Sequence, residues 1–182
     1  MALHPHDSPD LRKARGAFFT PEAVARYVTE WAIRKPSDRV LEPSCGEAVF
    51  LLEAGARLAE LGAPTGLRGH LHGAELHAHS ADMARHLLHA AGHEAKIAVG
   101  DFLRSEPEAA YDAVIGNPPY VRYQAFAGES RAAAQRAALR AGVTLTSLAS
   151  SWAAFTVHSA LHVREGGRLG LVLPAEILTV NY

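Results

Sequence analysis

The chain has 182 residues, 48% of them hydrophobic and 20% charged, which suits one domain with a sizeable core. A formal net charge of -1 excludes a globally basic nucleic-acid footprint, leaving such binding to local patches or to other parts. The single cysteine, Cys45, excludes an internal disulfide framework, and no apolar run reaches the length of a signal core or a membrane span, which predicts a cytoplasmic protein.

Residues 1–10 are polar, contain His and Pro, and predict a disordered tail ahead of a domain over residues 11–182. The stretch TPEAVARYVTEWAI predicts a helix with Thr20 as N-cap and Pro21 at the first helical position. Arg39–Glu42 is a short strand, followed by a helix within PSCGEAVFLLEAGARLAELG that Gly62 stops. Leu71–Leu76 is the second strand, SADMARHLLHAAG a helix, and Ala95–Val99 and Tyr111–Gly116 the third and fourth strands. Helices over about Glu129–Ala141 and Ala149–Arg164 precede a fifth strand, Arg168–Pro174. Strands separated by helices imply right-handed βαβ units, hence an α/β fold with a doubly wound, mostly parallel sheet. Ligands of such sheets bind at the carboxyl ends of the strands.

Those ends carry chemistry. The first strand runs into Glu42-Pro43-Ser44-Cys45-Gly46, where glycine lets a ligand approach the backbone. The second ends in Glu75, where nucleotide-binding sheets place an acid for ribose hydroxyls. The third leads to Asp101, an acceptor for an exocyclic amine, and Phe102, an aromatic to flank a base. The fourth delivers NPPYVRY, Asn117 to Tyr123. Two consecutive prolines are stiff and lack N–H donors, so this segment holds acceptors out into space. One glycine stands in the first loop where a dinucleotide fingerprint needs three, so the expected ligand has ribose and adenine but no pyrophosphate.

In that order GAFFTPEAVARYV, VLEPSCGEAVFLL, GAEL, GDFL, NPPYVRY and GRLGLVLPAEIL resemble the class I S-adenosylmethionine-dependent methyltransferases, specifically the adenine-N6 DNA methyltransferases of restriction-modification systems. The resemblance implies a Rossmann-like domain that binds S-adenosyl-L-methionine through Thr20, Glu42, Ser44 and Gly46 at its methionine end, Glu75 at its ribose, and Asp101 with Phe102 at its adenine. It also implies that the Asn117 side-chain oxygen and the Pro118 carbonyl accept from the adenine amino group, and that Tyr120 stacks on an extruded base, with Arg122 and Tyr123 beside the nucleic acid. Ala48 departs from the pattern, standing where most relatives carry a second glycine. The family's last two strands and its DNA-reading domain do not fit into AEILTVNY after the fifth strand. The expectation is therefore the N-terminal part of a longer enzyme, which engages DNA through a further domain or partner subunit.

Other readings stay open on sequence alone. Glu75 and Asp101 also suit a solvated strand end and a helix cap, and the arginines at 122, 131, 136 and 140 suit either a solvated helix or a phosphate-contacting lid. His70, His72, His77 and His79 lie close together but lack a second ligand set at finger spacing, so no metal site is expected. A methyltransferase acting on a protein glutamine or an RNA base would share NPPY, and a non-catalytic module could retain the cofactor fold.

Overall fold

The structure, a computed structural model, describes residues 20–120, 128–145 and 150–178. The tail at 1–10 lies outside the described residues. Helix α1 (Glu22–Ala32) buries Ala25, Thr29 and Ala32 on one face, the spacing of an amphipathic helix. It starts after Pro21 rather than at it, because Pro21 itself occupies the cap position with an extended ψ of 136°. Thr20 therefore does not cap the helix as expected.

Strands β1 (Val40–Glu42), β2 (Leu71–Glu75), β3 (Ala95–Val99), β4 (Tyr111–Gly116) and β5 (Val163–Leu171) form one sheet in the order β3-β2-β1-β4-β5, with every pair parallel. Helices α2 (Val49–Glu60) and α3 (Ala78–Ala90) are the crossovers of the first half; α4 (Gly128–Arg140) and α5 (Ser151–His162) lie between β4 and β5. This is the α/β, Rossmann-like arrangement that the strand and helix pattern predicts. From β1 the chain steps outward through β2 and β3, then returns to the other side of β1 as β4. The strand order reverses there, which opens a crevice between the β1 and β4 ends.

Both sheet faces are covered, so strand residues alternate between two cores. Val40, Ala113 and Ile115 face a cluster with Phe50, Leu51 and Leu58 of α2 and Leu88 of α3. Leu41 and Val114 face the other, with Phe102, Ala133, Ala137 and Phe155. Leu51 and Leu58 are fully buried, and truncating either to alanine should cost about 2–5 kcal/mol.

The fifth strand begins five residues before Arg168, and α5 ends at His162 rather than running to Arg164. Val163 pairs with Tyr111, and the register then shifts so that Arg168 pairs with Ala113. Gly166, at φ 75°, allows this irregularity, and Arg164 Nε donates to Asp112 Oδ1 at 2.6 Å to hold it. Among the described residues no helix is long and apolar enough to cross a membrane.

Candidate active site

The turn after β1 is built from the backbone. Cys45 N donates to the Ala74 carbonyl at 2.9 Å, and Ala48 N to the Cys45 carbonyl at 2.6 Å. Gly46 takes φ 49° and Ala48 φ 63°, a left-handed conformation that disfavours a side chain at Ala48. The Ala48 methyl is nonetheless fully buried in the core. A Cβ on Gly46 would meet no atom within 4 Å, so open space lies over the turn. A Cβ on Gly73 would stand 3.1 Å from both Cys45 Sγ and Leu51 Cδ1, so β2 approaches the turn where only glycine fits.

Glu75 fixes this turn. Its Oε2 accepts from Gly46 N at 3.0 Å and its Oε1 from His77 N at 3.0 Å, with the residue 8% exposed. Glu42 is deeper still, 3% exposed, and its Oε2 accepts from Leu51 N at 3.3 Å. Burial pushes the Glu42 carboxyl well above the usual carboxylate range, and the Glu75 charge pushes it the same way. Burial likewise raises the Cys45 thiol, leaving it a packed, unreactive group.

At the β3 end Asp101 Oδ1 accepts from Leu103 N at 3.0 Å, capping a single turn over Phe102–Arg104. The capping role that the sequence allowed is thus present. The Phe102 ring does not stand open at the sheet edge: it is 5% exposed, 4.8 Å from the His158 ring and 5.0 Å from that of His162. An apolar group does stand open beside the acids. Leu76, directly after Glu75, is 59% exposed. Sequence reasoning passed over it as the last residue of a strand; an apolar residue stepping off a strand end beside a buried acid was the available signal.

At the β4 end the acceptors of the Asn-Pro-Pro-Tyr row are sorted. The Gly116 carbonyl accepts from Val172 N at 2.9 Å, the Asn117 carbonyl from Ser44 Oγ at 3.4 Å, and the Pro119 carbonyl from Ser151 Oγ. Tyr120 packs on Trp152 and Ala153, and its hydroxyl donates to the Val172 carbonyl at 2.7 Å. Asn117 Nδ2 donates to Thr20 Oγ1 at 3.0 Å. Among the described residues, the Pro118 carbonyl and the buried Asn117 Oδ1 are left without a donor.

Thr20, Glu42, Ser44, Gly46, Asn117, Pro118 and Tyr120 therefore lie at the ends of β1 and β4, joined by the Ser44–Asn117 and Asn117–Thr20 bonds, while Glu75 reaches the same turn from the end of β2 and Asp101 follows β3. Arg122 and Tyr123 lie outside the described residues. Helix α4 turns Ala133, Ala134, Ala137 and Ala138 inward, while its Arg140 pairs with Glu106 at 2.8 Å. His70 and His72 bond to the carbonyls of Asp38 at 3.2 Å and Gly69 at 3.0 Å, and the His72 ring meets Tyr111 edge-on.

Comparison with known proteins gives a consistent result. The N-6 DNA Methylase family matches residues 7–181. Type II methyltransferase M.XamI of Xanthomonas campestris pv. amaranthicola is 28% identical over 172 residues, covering 92% of this chain and 31% of its own length. Type II methyltransferase M.HincII of Haemophilus influenzae is 26% identical over 159 residues, covering 87% of this chain and 28% of its own length. The chain thus spans less than a third of the length of these two relatives. In fold, it resembles a type I restriction-modification system methyltransferase subunit from Streptococcus thermophilus, with a TM-score of 0.71 at 20% identity, over 91% of this chain and 36% of that one.

Proposed function

Because the chain belongs to the N-6 DNA methylase family, we propose that it carries the cofactor-binding and catalytic residues for methyl transfer from S-adenosyl-L-methionine to the N6 amino group of adenine in DNA. The observation that carries this reading is the pair of acceptors left without a donor among the described residues, Asn117 Oδ1 and the Pro118 carbonyl, in a row whose Asn117 and Pro119 carbonyls are occupied. An adenine amino group is a poor nucleophile because its lone pair is delocalised into the ring. Two acceptors that bond its hydrogens favour the more tetrahedral nitrogen of the transition state and orient its lone pair for in-line attack. No strong base is needed, since the N6 proton becomes acidic as the new bond forms. Tyr120 offers a ring to the base once it leaves the duplex, compensating for lost stacking.

The residues fit the cofactor. Gly46 leaves room over the turn for its methionine end, which Thr20, Ser44 and Glu42 would hold. Glu75 accepts from the ribose, and the free oxygen of Asp101 from the adenine amine. Leu76 supplies an apolar face for the ring, and Phe102 acts from the core by holding the Asp101 turn. When bound, S-adenosylmethionine supplies an electrophilic methyl group on a sulfonium.

Arg122 and Tyr123 are assigned to nucleic-acid contact, and DNA is the expected partner. The test uses protein expressed from its whole reading frame, labelled S-adenosylmethionine and unmethylated DNA, with ribosomal RNA and a glutamine-bearing release factor as alternative acceptors. Label in N6-methyladenine that Asn117→Ala abolishes supports the reading; label only in RNA or protein overturns it.

A further inference from the structure

Two carboxylic acids, Glu42 and Glu75, are each more than nine-tenths buried at adjoining strand ends, and they are not equivalent. Glu75 accepts two backbone N–H groups, one on each oxygen. Glu42 accepts only the long bond from Leu51 N, and among the described residues its other oxygen has no donor. Among the described residues no cation compensates it. The charge that bears on Glu42 is that of Glu75 on β2; the turn beside it contributes the Cys45 thiol, and β4 approaches it with Gly116, which has no side chain. Arg85 on α3, the basic group that bears on Cys45, is held by Asp82 at 2.6 Å and by the Ile97 carbonyl. A second negative charge at Glu42 would be buried beside the first with no counter-ion among the described residues.

We propose that Glu42 is an exchangeable-proton site for the cofactor: its carboxyl is protonated in the empty chain and releases that proton to solvent when the cationic methionine end of S-adenosylmethionine arrives as its counter-ion. This rests on the cofactor reading above and adds to it a selection by charge. The O–H bond of Glu42 breaks, the proton passes to buffer, and the carboxylate pairs with the ammonium group. A neutral ligand that keeps ribose and adenine but lacks the amino acid has nothing to exchange for the proton. Binding of the cationic ligand should therefore tighten by up to tenfold per pH unit until Glu42 ionises unaided.

Titration calorimetry of the chain at about pH 6, in two buffers of different ionisation enthalpy, counts the protons released. The expected result is net release with S-adenosylmethionine, none with 5′-methylthioadenosine, and none when Glu42→Gln binds S-adenosylmethionine. Unchanged affinity of Glu42→Gln for 5′-methylthioadenosine reports an intact pocket. Equal enthalpies in both buffers with the wild-type chain, or undiminished release from Glu42→Gln, overturn the proton exchange while leaving the cofactor reading intact. Absence of binding by either ligand overturns the cofactor reading itself, and the exchange with it.

Discussion

Thr20 and Asn117, 97 positions apart, are joined by a 3.0 Å bond from the Asn117 amide nitrogen to the threonine hydroxyl. The bond fixes which way the amide faces. With Nδ2 turned to Thr20, Oδ1 is left as the buried, open acceptor. Asn117→Ala should cut methyl transfer by orders of magnitude with cofactor affinity nearly intact, because its interaction develops in the transition state. Thr20→Val should lower kcat by about 5- to 150-fold, the effect of losing one buried hydrogen bond of about 1–3 kcal/mol. Thr20→Ser should restore it. Near-normal turnover in Asn117→Ala would refute the acceptor role.

The acids at the strand ends should separate in a different way. Asp101→Ala and Glu75→Ala should each weaken S-adenosylmethionine binding by about 1–3 kcal/mol in calorimetric titration. Glu75 also ties Gly46 and His77, so Glu75→Ala should in addition lower the melting temperature. Asp101, which bonds one N–H of a short turn, should leave it nearly unchanged. Wild-type cofactor affinity in both variants would remove the assignment.

What the sequence carries of the candidate site and of its neighbours follows from what each residue depends on. The prolines at 118 and 119, Gly46 and the acids at the strand ends act through local backbone chemistry, which residue type and spacing carry. Thr20 was legible as a helix-cap residue, yet its hydroxyl went to a partner 97 residues away, a choice no local pattern encodes. Phe102 was expected at the edge and lies in the core, because α5 brings Phe155, His158 and His162 against it. β5 starts earlier than expected because the chain around Gly166 forms an irregularity within the strand rather than its boundary.

Ala48 offers a test of strain against packing. Its left-handed φ of 63° costs about 1–2 kcal/mol for an L-residue. Replacing it with glycine removes that cost. The same change loses a buried methyl worth about 0.8 kcal/mol and adds about 0.4–1 kcal/mol of unfolded-chain entropy. The terms nearly cancel, so Ala48→Gly should shift stability by less than about 1 kcal/mol in denaturant titration. A loss of several kcal/mol would mean that the methyl, rather than the turn, sets the local geometry.

The last prediction concerns acid. His158 and His162 are buried on α5, their Nε2 atoms 3.2 and 3.4 Å from Ser105 Oγ and their Nδ1 atoms without partners among the described residues. Burial lowers both imidazoles, and His158 presses further on His162, which falls from 6.5 to about 4. The folded state therefore holds these rings neutral while the unfolded chain takes up protons below about 6.5. The His162 contribution to stability is complete above that value and is lost as pH falls through about 4, and His158 acts in the same direction, the reverse of a histidine that gains a carboxylate partner. The expected loss across this window is about 1–2 kcal/mol, after discounting for screening. Both rings pack on Phe102, next to Asp101, so cofactor affinity should weaken together with the fold. Melting curves at pH steps from 7 to 4 should show the fall for the wild-type chain and a flatter profile for His162→Leu. An unaltered slope in that variant would place the acid sensitivity elsewhere.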